Sequence, residues 1–142
     1  MGIIIKARDL PALERSGIQR PIIYCNPEAA IIDSAVSLNV DLAKKLVAIR
    51  PNRRTMRMEQ CFRQVIENLP DDVVIKDFDV LFNPEYKVDI LLIMSSLAKS
   101  KPYRILWPGK CDGQRLIYAE EGYQDYKVFE IDKYDVTCVV VV

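Results

Sequence analysis

Residues 21–36 read PIIYCNPEAAIIDSAV. Pro21 to Tyr24 is an apolar run with strand composition, residues 25–27 read as a tight turn, and the Ala- and Ile-rich stretch from 27 to about 32 suits a helix. Strand, turn and helix in that order occupy the place where a nucleotide-binding α/β protein carries its phosphate loop. The glycines and the lysine of such a loop are missing.

The rest of the chain repeats the alternation. Ile3 to Ile5 suits an edge strand, and residues 10–16 read as a short helix entered at Pro11. VSLNV (36–40) has strand composition; Asn39 or Asp41 can then cap a helix carrying Leu42, Leu46 and Ile49, which Pro51 ends. A helix over 55–69 is better defined, with Met58, Phe62, Val65, Ile66 and Leu69 on one face. DDVVIKDFDV (71–80) reads as a central strand, VDILLIMSSLAKS (88–100) as a buried helix and YRILW (103–107) as a core strand. After Pro108 and Gly109 the pattern changes to short strands: a hairpin across CDGQ, then YKVFEI and the terminal VTCVVVV. The expected fold is one α/β domain spanning 1–142: a mostly parallel sheet covered on both faces, with a β-rich extension from about 108. The apolar tail must pair in the sheet or form an interface, as an edge strand or part of the extension.

Composition narrows the chemistry. The 142 residues carry 20 basic and 20 acidic side chains, so no overall field draws the chain to nucleic acid or membrane. No apolar run approaches the roughly 20 residues that cross a bilayer, and MGIIIKARDL lacks the features of a signal peptide. A cytoplasmic compartment is expected. The four cysteines, at 25, 61, 111 and 138, contain no CxxC pair and read as reduced structural thiols. The absence of histidine removes Ser-His and Cys-His nucleophiles and His-containing metal sites.

The segment FNPEYKVDILLIMSSLAKSKPYRILWPGKCDGQRLIYAEEGYQDYKVFEI resembles the small P-loop protein of type 3 BREX phage-defence systems, the BrxF family. The matching elements are Phe82, Asn83 and Pro84; Trp107, Pro108 and Gly109; Arg115, Leu116, Ile117, Tyr118, Ala119 and Glu120; then Gly122 and Tyr126. SLNVDLAKKL adds a weaker upstream match. The resemblance implies a prokaryotic defence protein with a P-loop-NTPase-like three-layer sandwich, ATP at the first strand-turn-helix and other subunits of a defence complex as partners. The chain departs from it where phosphate chemistry is concerned. In CNPEAAIID the nucleotide-site positions are Asn26, Pro27 and Glu28, Ile stands for the lysine, and Glu28 would set a negative charge beside phosphate. Lys76 stands where a Walker B Asp would be, unless a shift of one residue makes Asp77 the metal carboxylate.

The expectation is therefore a non-hydrolysing adaptor with degenerate Walker motifs and no cofactor. Two alternatives stay open: a weak or partner-completed ATPase using Mg²⁺ and Asp77, and a nucleic-acid-binding module. For the latter, Arg50, Arg53, Arg54 and Arg57 form a patch for DNA or an acidic partner, or else a solvated helix-loop-helix connection. Asp77, Asp79 and Glu85 with Lys76 could serve a Mg²⁺-dependent nuclease or be ordinary strand-end polarity. Trp107, Tyr118, Tyr123 and Tyr126 concentrate aromatic surface for an interface, with Trp107 also readable as the anchor of the β extension.

Overall fold

One row of side chains crosses the whole main sheet: Ile4, Cys138, Ile23, Ile105, Ile75 and Val36 are successive partners on six adjacent strands. The four central members are fully buried. The strands are β1 (Ile3–Lys6), β2 (Ile22–Cys25), β3 (Val36–Ser37), β4 (Val73–Lys76), β5 (Tyr103–Leu106) and β9 (Thr137–Val140), in the order β1-β9-β2-β5-β4-β3 and parallel at every pairing. A parallel sheet must be covered on both faces, because the crossovers that connect its strands lie over them. The computed structural model describes residues 1–17 and 20–141.

The helices are α1 (Leu10–Arg15), α2 (Ala29–Ser34), α3 (Asn39–Val47), α4 (Arg54–Glu67) and α5 (Ile90–Leu97). Side-chain contacts assign them to faces. Phe62 of α4 meets Tyr103 edge-on, and the Tyr103 hydroxyl donates to the Met94 carbonyl of α5; Tyr103 shares its face with Ile105 in the apolar row. On the opposite face Arg104 pairs with Glu14 of α1 at 2.7 Å, and Lys76 reaches the Ile32 carbonyl of α2 at 3.5 Å. Crossovers from β1 to β2 and from β2 to β3 run one way across the sheet with α1 and α2. Those from β3 to β4 and from β4 to β5 run back on the other face, as expected when all have the same hand. The α1/α2 layer is thin, since neither helix buries a residue completely.

A second sheet, β6 (Lys110–Cys111), β7 (Arg115–Tyr118) and β8 (Lys127–Glu130), is antiparallel and lies between β5 and β9 in the chain. Its first turn is held by Asp112, whose carboxylate accepts from the Gln114 and Arg115 amides at 3.0 and 2.8 Å, with Gly113 at φ 93°. The sheet is riveted to the core through Trp107, whose indole N–H donates to the Ile117 carbonyl at 3.0 Å. Gly109 makes that approach possible: a Cβ there would sit 1.9 Å from the Ile117 oxygen. Around this seam Phe82 stacks on Tyr118, with ring centroids 3.9 Å apart, and meets Trp107 and Phe129 edge-on.

Three sequence expectations need correction. VSLNV forms only a two-residue strand, because α3 already begins at Asn39, whose side-chain oxygen accepts from the Val80 amide at 3.2 Å. The strand read over 71–80 ends at Lys76, where Asp77 turns the chain with φ 54°. Finally, the apolar tail does pair in the sheet, but as an inner strand and not as an edge strand or part of the extension. Its strand β9 lies inside the main sheet between β1 and β2.

Asp135, just before β9, gathers three cations: Lys99 Nζ at 2.9 Å, Arg20 Nε at 3.1 Å and the Met1 ammonium at 3.9 Å. The hydrogen bond from Lys99, with the other cations, holds its carboxyl below the usual range. A depressed folded-state pKa contributes stability that is present above the ordinary carboxylate pKa and is lost as the pH falls through the folded value. Acid unfolding should therefore steepen below about pH 4, and Asp135→Asn should remove part of that dependence. The group is half exposed, so the difference at neutral pH should be at most about 1 kcal/mol; parallel acid titrations of both proteins would measure it.

Candidate functional site

In an open parallel sheet, ligands bind beyond the carboxyl ends of neighbouring strands whose connections leave over opposite faces. Here those strands are β2 and β5. From β2 the chain leaves through α2, and from β5 through the small sheet on the other side. Asn26 begins the turn after β2 with φ 53°, a left-handed conformation that Asn tolerates better than most residues. Pro27 follows, and Glu28 stands at the N-cap of α2 without a capping bond from its side chain.

The Trp107 amide donates to the Tyr24 carbonyl at 3.0 Å, carrying the β2–β5 pairing past its last strand residue. The buried Cys25 of β2 shares the hydrophobic core with Cys138 of β9, and Cys111 of β6 packs against that core. The Cys138 thiol, together with burial, pushes the Cys25 thiol far up, so it stays protonated; burial raises Cys111 as well. Nothing in the wide spacing of these cysteines announced that they would gather at one core.

The turn also lacks what a phosphate needs. The helix after it has only six residues, its N-terminal end carries the Glu28 carboxylate, and Lys76 of β4 bonds to the Ile32 carbonyl in the second turn of that helix. Asp77 is exposed at the end of β4, two strands from β2. Asp79 accepts from the Tyr118 hydroxyl at 3.0 Å, a bond that works with burial to raise the phenol's pKa. Glu85 is exposed. Among the described residues no three Cys, Asp or Glu side chains are arranged to hold a metal ion, so Asp77, Asp79 and Glu85 do not converge as a metal-binding set.

The arginines divide into two kinds. Arg54 donates through Nε to the Ile49 carbonyl at 3.0 Å, tying the start of α4 to the loop after α3, and so acts as a structural link. Arg50, Arg53 and Arg57 are exposed. Arg57 also lines a cleft of about 700 Å³ between α3 and α4, with Lys44 and Lys45 opposite. Gln60, Gln64 and Asn68 continue its wall along α4, and sequence reading passed them over although their spacing of four places them on one face.

The aromatic group divides too. Trp107 and Tyr118 are 4% and 9% exposed and belong to the seam between the sheets, so neither presents an interface. Tyr123 is 66% exposed and Tyr126 half-buried. No family model, curated protein or solved structure matches the chain. No helix among the described residues is long and apolar enough to cross a membrane.

Proposed function

We propose that the protein is a P-loop-like subunit that does not hydrolyse ATP and works as an adaptor through protein-protein contacts. By its resemblance to the BrxF family, the assembly would be a prokaryotic phage-defence complex. The observation that carries the reading is the turn after β2: where a P-loop protein wraps phosphates in glycine N–H groups beside a lysine, this chain has Asn26, Pro27 and Glu28, and the Trp107 amide extends the β2–β5 ladder to the Tyr24 carbonyl. The layout around that turn also favours a P-loop-like ancestry. β2 lies inside a parallel sheet, and the strand end that would carry a Mg²⁺ carboxylate stands two strands away along the same edge. Glu28 and the bonded Lys76 then leave the site without a cation for the β and γ charges.

Calorimetric titration with ATP and Mg²⁺ tests this, and no heat is expected up to millimolar nucleotide. Micromolar binding would sink the adaptor reading and favour the ATPase, in which Asp77, exposed at the end of β4, would hold the metal. Asp77→Ala should then abolish the Mg²⁺ dependence.

A further inference from the structure

The α3–α4 cleft has a composition that the adaptor reading leaves unused. Its floor is apolar, built from Ile49, Val65, Leu69 and the buried Cys61, while Lys44, Lys45 and Arg57 stand exposed at its rim against a single acid, Asp41. Among the described residues none of the three cations makes an ion pair. Gln60, Gln64 and Asn68 supply side-chain amides along one wall. Two exposed apolar side chains are chain neighbours of its lining: Val47, next to Ala48, is 73% exposed, and Met56, next to Arg57, is 86% exposed. At about 700 Å³ the cleft lies within the range of about 300–1,000 Å³ usual for ligand sites.

We infer that this cleft docks an acidic peptide segment of a partner protein, one that sets apolar side chains on the Ile49–Val65–Leu69 floor and carboxylates against Lys44, Lys45 and Arg57. The inference rests on the adaptor reading and gives it a location. The floor decides against nucleic acid. A phosphate backbone would satisfy the three cations but would leave the apolar floor and the exposed Val47 and Met56 without partners, whereas an amphipathic acidic segment covers both. The balanced net charge of the chain agrees, since the attraction is confined to the cleft instead of spread over a basic surface. The amides of Gln60, Gln64 and Asn68 can both donate to and accept from a peptide backbone.

The test uses the full chain and three fluorescent probes of about ten units each: a peptide of Glu interspersed with Leu, a poly-Glu peptide and oligothymidine. The Glu/Leu peptide should bind most tightly, and poly-Glu at least about tenfold more weakly for want of the apolar contacts. The double variant Lys44→Glu/Lys45→Glu should weaken the Glu/Leu peptide at least about tenfold, as should Arg57→Glu alone, with the thermal midpoint of both variants unchanged because the altered groups are exposed. Reversal of Arg63, which pairs with Glu59 on α4 and does not line the cleft, should leave binding as it was. Oligothymidine binding as tight as the peptide and lost in the same variants would overturn the inference in favour of a phosphate-backbone site. Absent peptide binding, or binding indifferent to the three reversals, would overturn it too and place adaptor contacts on another face. The adaptor reading itself is judged separately, by the ATP titration.

Discussion

Replacing Phe82 with Ala is expected to cost about 3–5 kcal/mol of stability, the range for removing a large aromatic from a packed core. The residue is 1% exposed, and its ring touches four others: Tyr118 of β7, Trp107 after β5, Phe129 of β8 and Phe78 of its own turn. Three of these neighbours lie just after β5 or in the small sheet, so the cavity would open at a seam that joins the two sheets. Urea unfolding of wild type and variant would give the difference directly, and the thermal midpoint should fall by roughly 10 °C. Phe82→Leu should recover part of the loss by refilling the space. A cost below about 1 kcal/mol would mean that the seam repacks and that the stacked pair is not what holds the small sheet.

Ending the chain after Val136 is expected to abolish cooperative folding. The missing strand β9 pairs with β1 on one side and β2 on the other, and its Thr137, Cys138 and Val139 are 1%, 0% and 3% exposed. Its loss breaks two parallel ladders and removes Cys138 from the apolar row, against a total stability of only about 5–15 kcal/mol for an ordinary domain. Circular dichroism on heating should show a shallow, non-sigmoidal change. A sharp transition retained by the truncated chain would mean that β1 and β2 can pair without β9.

Much of this architecture was legible because it follows periodicity. The stripe from Met58 to Leu69 marks α4, and the apolar runs mark β2, β4 and β5, since strands buried on both faces need no polar alternation. What periodicity does not encode is adjacency. The run VTCVVVV is equally apolar in a central strand or at an edge, so its composition could not place it between β1 and β2. Asn39 looked like a cap or a strand residue until Val80 was seen to donate to it from across the chain. Trp107 and Tyr118 looked available for an interface because aromatic residues are common there, but Gly109 lets the small sheet close over the Trp107 indole. The candidate site was half legible. That the phosphate turn lacks its glycines and lysine is plain in residues 25–33; that Cys25 shares one core with Cys138 depends on long-range pairings no local window contains.

The position of β9 also sets the order in which the protein can assemble. Ile4 and Ile23 meet only through Cys138, so the middle of the sheet waits for the latest of its strands in chain order. Until that strand arrives, β1 and β2 each present an unpaired edge, the kind of surface that recruits other chains. Contacts so distant in sequence make folding slow, because the loop must close before its pairings stabilise it. The interval during which two raw edges are exposed is therefore the period of greatest aggregation risk, and a chaperone that shields β1 and β2 until β9 docks should raise the yield of folded protein.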